Sequence, residues 1–126
     1  DLAILIYPVI TFTDEPFVHK GSRTNLLGDG ATPDQMKAMS SELRVTGKTP
    51  PVFLVHTTGD TGVPPENSLL FVQAMRKAGV ELELHLYEGV FHEAHNDLDR
   101  EAFLSDVLDW LDRHVPAPSL SSTEER

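Results

Sequence analysis

The feature that most constrains the fold is a short apolar run, residues 52–57, that ends in a turn-rich loop carrying a carboxylate. The run is rich in β-branched residues and is bounded by Pro50, Pro51 and Gly59, which predicts a strand buried on both faces. Asp60 follows the carboxyl end of this strand, where open α/β sheets place their functional residues. The sequence therefore predicts a parallel sheet with Asp60 at its functional edge.

Two further segments predict strands in the same sheet. Residues 2–7 are continuously apolar, which is typical of a central parallel strand, whereas residues 81–87 alternate and predict a strand nearer the edge. Three strands are too few to bury both faces of such a sheet. Because the chain is already in a strand pattern at Leu2, we expect it to be a portion of a longer protein.

Helical patterns alternate with these strands, which predicts an α/β fold with three parallel strands and right-handed crossover helices. Thr32 caps a short predicted helix, a second begins at Pro65 or Glu66 and ends before Gly79, and a third is capped by Asn96 or Asp97. We interpret residues 1–115 as one domain portion, with residues 11–31 as a loop or lid-like insertion. Residues 116–126 are rich in Ser and Glu and predict a disordered tail.

Composition excludes several kinds of partner and site. The formal net charge is −10, which argues against nucleic acid as a partner, and we interpret the acidic residues as a solvated surface. No apolar run reaches the roughly 20 residues that a membrane helix needs. The absence of cysteine excludes thiolate metal sites and a cysteine nucleophile within these residues. The compartment and the oligomeric state stay open.

The residues around Asp60 and the last strand form a pattern with a known counterpart. The pattern consists of H-T-T-G-D-T-G-V-P at residues 56–64, Asn67 with Ser68, A-G-V at residues 78–80, and E-L-H-L-Y-E at residues 83–88 followed by His92. It resembles the C-terminal half of α/β-hydrolases, within them the acetyl esterase/lipase-like branch that includes carbohydrate acetyl esterases. The resemblance extends over residues 2–115 and implies a partial α/β-hydrolase fold.

The resemblance also implies catalytic roles. Asp60 matches the acid of the D-x-x-V-P loop and His92 matches the histidine after the last strand, so both are predicted catalytic residues of a serine carboxylic-ester hydrolase. The nucleophile of that family lies on a G-x-S-x-G turn upstream of residues 2–7. No such motif occurs in this sequence, and Ser22 does not fit it. The implied substrate is a small-molecule ester, including acetylated carbohydrate, and no cofactor is implied.

Simpler interpretations of the same residues stay open. Asp60 would then only cap its own turn, and His92 would be a solvated loop histidine. The family usually carries G-G-H-G-F around this histidine, whereas this chain has Val90, Phe91 and Glu93 beside it. The alternatives are a prolyl-oligopeptidase-type or dienelactone-hydrolase-like enzyme, or a non-catalytic α/β interaction module.

The remaining histidines carry weaker hypotheses. We expect His56 to be a structural histidine at the strand end and His85 to be exposed on the polar face of its strand. His92 and His95 could bind a metal ion with Asp97 and Asp99, but His-x-x-His without a fixed helix face and a third ligand is a weak signal.

Overall fold

The computed structural model describes residues 1–89 and 100–116 as a three-stranded parallel sheet with helices on both faces. The strands are β1 (Ala3–Ile6), β2 (Val52–Thr57) and β3 (Leu82–Tyr87), in the order β1-β2-β3. The helices are α1 (Lys20–Leu27), α2 (Pro33–Met39), α3 (Glu66–Ala78) and α4 (Arg100–His114), with a short 3₁₀ helix at Ser41–Leu43. The predicted α/β class and parallel pairing are confirmed.

The middle strand, β2, organises the core. All six of its residues are buried, as the apolar run predicts. Val52 and Leu54 pack in one cluster with Met75 of α3, whereas Phe53 packs in a second cluster with Trp110 of α4. Because successive strand residues point to opposite faces, β2 contributes to the apolar layer on each side of the sheet.

β1 lies at the open edge of the described sheet. Within the described residues it pairs only with β2, and Ile4 and Ile6 are 37% and 41% exposed. The amides of Ala3 and Tyr7 donate to the carbonyls of Pro51 and Val55. The backbone groups of Ile4 and Ile6, which alternate with those of Ala3 and Tyr7 along the strand, therefore point to the open side. The apolar pattern of β1 is typical of a strand with a neighbouring strand on each side, whereas the described residues provide a neighbouring strand on one side only.

A second apolar surface lies on α4. Asp106 and Arg113 contact β3, while Leu104 and Leu108 lie on the opposite flank of the helix and are 43% and 59% exposed. The flank that carries both leucines therefore faces away from β3, toward the side of the sheet where β1 is open. This accounts for a helix whose apolar residues recur at helical spacing without all being buried.

Local signals located most helix ends. The predicted capping box of α2 is present, because Thr32 Oγ1 accepts from the Gln35 amide and Gln35 Oε1 accepts from the Thr32 amide. Gly79 ends α3 with a φ of 70°, as predicted. The predicted caps of α4, Asn96 and Asp97, lie outside the described residues.

The stretch predicted to be irregular, residues 11–31, contains helix α1, which corrects that expectation. Its cap is the imidazole of His19, whose Nδ1 accepts from the Ser22 amide at 3.1 Å. Histidine is not among the preferred capping residues, and α1 buries none of its residues, so neither a cap nor an apolar stripe marks it in the sequence. The lid-like role of this stretch stays a prediction.

We predict that the open edge of β1 makes the isolated 126-residue chain self-associate. A lysine at position 6 places a charge on this edge, so Ile6→Lys should raise the monomer fraction, because charged residues oppose edge-to-edge pairing. Size-exclusion chromatography with light scattering over a concentration series measures this. The control is Leu43→Lys, since Leu43 is 58% exposed on the 3₁₀ helix and should not change association. A reversible two-state melt of a monomeric parent chain would contradict the prediction.

Candidate active site

The carboxyl end of β2 leads into residues 58–64, which we call the acid turn because they carry Asp60. The amide of Thr58 donates to the carbonyl of Tyr87 at 2.9 Å, so the turn begins where β2 and β3 end side by side. The carboxyl ends of parallel strands share one edge of the sheet, and side chains that follow them are brought together there. Asp60 thus lies at the edge that the sequence predicts.

The Asp60 carboxylate is buried and held from two sides. Its Oδ1 accepts from the amides of Gly62 and Val63, each at 2.9 Å, and its Oδ2 lies 3.5 Å from Nε2 of His56. Two backbone amides on one oxygen fix the direction in which the carboxyl group points. Asp60 therefore caps its own turn and is also a buried, oriented carboxylate.

His56 lies inside the molecule behind this carboxylate. Its Nε2 donates to the carbonyl of Val63 at 2.7 Å, and its Nδ1 is 2.7 Å from Oγ of Ser68. Both ring nitrogens are thus bonded to protein groups, and the side chain is fully buried. This confirms the prediction of a structural histidine at the end of the strand.

Asn67, in the first turn of α3, connects the acid turn to the segment that follows β1. Its Oδ1 accepts from the amides of Ile10 and Thr11, and its Nδ2 donates to the carbonyls of Phe17 and Pro64. In the sequence, Asn67 is distinguished only as part of the family pattern. A signal was available, because Asn67 and Ser68 are polar residues on a helix whose buried side also carries Phe71 and Met75.

The predicted catalytic partner of Asp60, His92, lies outside the described residues, and so do His95, Asp97 and Asp99. The pairing of His92 with Asp60 and the weaker metal hypothesis therefore stay predictions. Among residues 1–89 and 100–116, no group of three or more His, Cys, Asp or Glu side chains could hold a metal ion. None of the helices in these ranges is long and apolar enough to cross a membrane.

A polar network joins β3 to α4 on either side of residues 90–99. The hydroxyl of Tyr87 donates to Asp106, and Nδ1 of His85 lies 3.3 Å from the same carboxylate. On its other side, Nε2 of His85 bonds Glu83 at 2.7 Å. The network ties the last residue of β3 to α4, so the described residues flanking 90–99 are held together.

His85 corrects the expectation of an exposed histidine. Its ring lies 4.8 Å from the ring of Phe53, centroid to centroid, and is half-buried between the carboxylates of Glu83 and Asp106. The alternation of β3 correctly identified a polar face, but α4 covers that face. Residues on a polar strand face are exposed only when no helix packs over them.

Two groups in this region have shifted pKa values. Burial would raise the pKa of Glu83, but hydrogen bonds and charge from His85 and Arg113 outweigh it and lower the pKa below its ordinary value. At the end of α4, the Trp110 carbonyl and the Glu81 carboxylate both accept from the His114 ring, and they raise the pKa of His114. The charged forms of both side chains are thus favoured in the folded protein.

The chain is similar to proteins of known family and fold. Residues 9–117 match the model of the prolyl oligopeptidase family. The crystal structure of an acetyl ester-xyloside bifunctional hydrolase from Caldicellulosiruptor lactoaceticus is 38% identical and superposes with a TM-score of 0.84 over 90% of this chain and 42% of its own. This likeness shows that the described sheet corresponds to part of an α/β-hydrolase fold.

Two curated proteins are also similar. Endo-1,4-β-xylanase B of Butyrivibrio fibrisolvens is 37% identical over 92 residues, which are 73% of this chain and 14% of that protein. Monoacylglycerol lipase of Mycolicibacterium smegmatis is 29% identical over 112 residues, which are 85% of this chain and 36% of the lipase. The chain therefore spans less than half the length of each of these relatives.

The contacts of His114 predict a pH dependence of stability. Because folding raises the pKa of His114 above 6.5, the protonated ring stabilises the folded chain fully below that pH, and the contribution is lost as pH rises through the folded pKa. His114→Gln should therefore lower the urea midpoint at about pH 5.5 and change it little at about pH 8.5.

Tryptophan fluorescence measures this unfolding. Trp110 is the single tryptophan in the sequence and is buried, and its ring stacks on the His114 ring with 4.4 Å between the ring centroids. Glu81→Gln, which removes the carboxylate partner, should reproduce the loss at the lower pH. An equal loss at both pH values in His114→Gln would refute the assignment.

Proposed function

The chain belongs to the prolyl oligopeptidase family of α/β-hydrolases, and on that premise we propose that it is the C-terminal portion of a serine carboxylic-ester hydrolase. Asp60 and His92 are two members of the catalytic triad in this proposal. The nucleophilic serine and the oxyanion hole belong to an upstream portion of the protein. The substrate is a small acyl ester, with acetylated carbohydrate as the first class to test.

The observation that carries this proposal is the Asp60 carboxylate. It is buried at the carboxyl end of the central strand, and the amides of Gly62 and Val63 fix Oδ1. A triad acid needs these properties, because it must keep its charge and hold an imidazole in one tautomer and orientation. An aspartate that only closed a turn would need neither burial nor a place beside the end of β3.

His92 acts as the proton carrier in the proposed mechanism. Its imidazole takes the proton of the upstream serine as the hydroxyl attacks the ester carbonyl, and it returns that proton to the leaving alcohol. Asp60 stabilises the imidazolium formed between these two steps. Backbone amides of the upstream portion stabilise the negative charge on the carbonyl oxygen. No cofactor takes part in any of these steps.

The substrate class is supported by what the relatives are called. The similar structure is named for acetyl ester hydrolysis, and the two curated relatives are a xylanase and a monoacylglycerol lipase. The first and third names denote hydrolysis of carboxylic esters, and the first two concern xylose-containing compounds. The acetyl ester in the first name makes an acetylated xylose-containing compound the first probe.

A second candidate function is peptide hydrolysis, which the family match favours by its name. The same acid, base and serine would then attack an amide, whose amine leaving group also needs the proton that His92 carries. Parallel assays of the full-length protein with p-nitrophenyl acetate, acetylated xylo-oligosaccharide and a prolyl p-nitroanilide separate the two. Turnover of the anilide alone would replace the esterase proposal with this one.

We predict that the 126-residue chain alone hydrolyses p-nitrophenyl acetate no faster than a control protein of equal histidine content. Asp60 and His92 have no G-x-S-x-G serine to activate within this sequence. The full-length protein should turn the ester over and lose this activity to a serine-directed phosphonate. Turnover by the short chain that the phosphonate abolishes would show that a nucleophile lies within it.

The site residues are tested in the full-length protein by three substitutions. His92→Ala should lower kcat by about 10⁴- to 10⁶-fold and Asp60→Asn by about 10⁴-fold, because triad members act as a unit. His95→Ala is the matched control and should stay within roughly tenfold, about 1.4 kcal/mol in the barrier. Each variant must first show the parental melting temperature. Loss of activity in His95→Ala instead would move the base by three residues.

A further inference from the structure

We propose that His56 is a positioning residue that fixes the Asp60 carboxylate through the acid turn. The inference rests on the proposed function, because it assigns His56 a part in catalysis only if Asp60 is the triad acid. His56 is fully buried, so it acts on the reaction through Asp60.

The connection between the two side chains runs through Val63. The Val63 amide donates to Oδ1 of Asp60 at 2.9 Å, and the Val63 carbonyl accepts from Nε2 of His56 at 2.7 Å. Both backbone polar groups of one residue are therefore committed, one to the carboxylate and one to the imidazole. A shift of the Val63 backbone away from His56 would carry the amide that orients Asp60 with it.

The His56 ring is itself held on rigid elements. Its backbone belongs to β2, which is bonded to a strand on either side, and its Nδ1 is bonded to Ser68 in the first turn of α3. The ring of Tyr7, at the end of β1, lies edge-on to it at 6.0 Å. The imidazole thus links two regular elements to the turn, and sites supported by such elements hold their geometry better than sites on loops alone.

The tautomer of the His56 ring places an N–H group next to the Asp60 carboxylate. A carbonyl oxygen can only accept, so Nε2 of His56 carries the hydrogen that points to Val63. The same nitrogen lies 3.5 Å from Oδ2 of Asp60, which places a polarised N–H beside the second carboxylate oxygen. Oδ1 is thus oriented by the turn and Oδ2 is flanked by His56, so the carboxylate has one preferred orientation.

The test compares two substitutions of His56 in the full-length protein. His56→Leu removes both hydrogen bonds and should lower kcat for p-nitrophenyl acetate by about 10- to 100-fold, because misplacing a catalytic group by about 1 Å has costs of this size. KM should change little, since the buried ring does not contact substrate. His56→Gln keeps a donor for Val63 and should recover most of the lost kcat.

A stability control separates positioning from folding. Met75→Ala removes a fully buried side chain on α3 that packs against β2 without bonding the acid turn, and it should lower the melting temperature while leaving kcat near the parental value. All rates are measured well below the lowest melting temperature. Equal kcat losses in Met75→Ala and His56→Leu, or a folded His56→Leu variant with parental kcat, would overturn the inference.

The tautomer gives a readout that does not depend on activity. Nitrogen-15 NMR of the parent protein should show the His56 ring hydrogen on Nε2, and a ring protonated only at Nδ1 would overturn the inference even if every variant misfolded. The same variants distinguish failure of one proposal from failure of the other. Parental activity in Asp60→Asn and His92→Ala refutes the proposed function. If those two variants lose activity while His56→Leu keeps the parental activity, only the positioning role is refuted.

Discussion

The burial of β2 is the constraint on which the rest of this structure depends. All six residues of the strand are excluded from water, with a strand on each side and a helix layer on each face. Burying an aliphatic or aromatic side chain stabilises a fold by roughly 1.5–3 kcal/mol, so Val52, Phe53, Leu54 and Val55 anchor the sheet. The same burial obliges every polar group near the strand's end to find a partner inside the protein.

The polar residues at the end of β2 all find hydrogen-bond partners inside the protein, and these bonds also fix the geometry of the acid turn. His56, Asp60, Asn67 and Ser68 are all buried, and each is bonded to backbone or to another of the group. An unpaired buried polar group costs about 1–3 kcal/mol, so the chain is held to one arrangement of the acid turn. A catalytic carboxylate needs a rigid environment of this kind. Here the rigidity arises because the buried polar groups must be paired for the chain to fold.

The described sheet has a well-packed interior but leaves apolar residues exposed on β1 and α4. One cluster joins β2 to α3 and the other joins β2 to α4, yet Ile4 and Ile6 of β1 and the outer leucines of α4 stay in contact with water. The chain corresponds to 42% of the similar hydrolase structure, and β1 has a single neighbouring strand among residues 1–89 and 100–116. The packed core around β2 and the exposed apolar residues of β1 and α4 have the same cause. A parallel sheet is stable when both faces of each strand are covered, and in the described residues this holds for β2 but not for β1.

The sequence by itself determined the features whose signals are local: the buried strand before Asp60, the capping box of α2 and the end of α3 at Gly79. The alternation of strand and helix patterns also predicted that the strands are parallel. Only the tertiary structure decided the partners of His56, the four contacts of Asn67 and the cover over His85. Val63 follows His56 by seven residues, whereas Phe17 is 50 residues from Asn67, and no periodicity specifies either partner. Burial can be predicted from residue type and spacing, but a hydrogen-bond partner depends on which elements pack together.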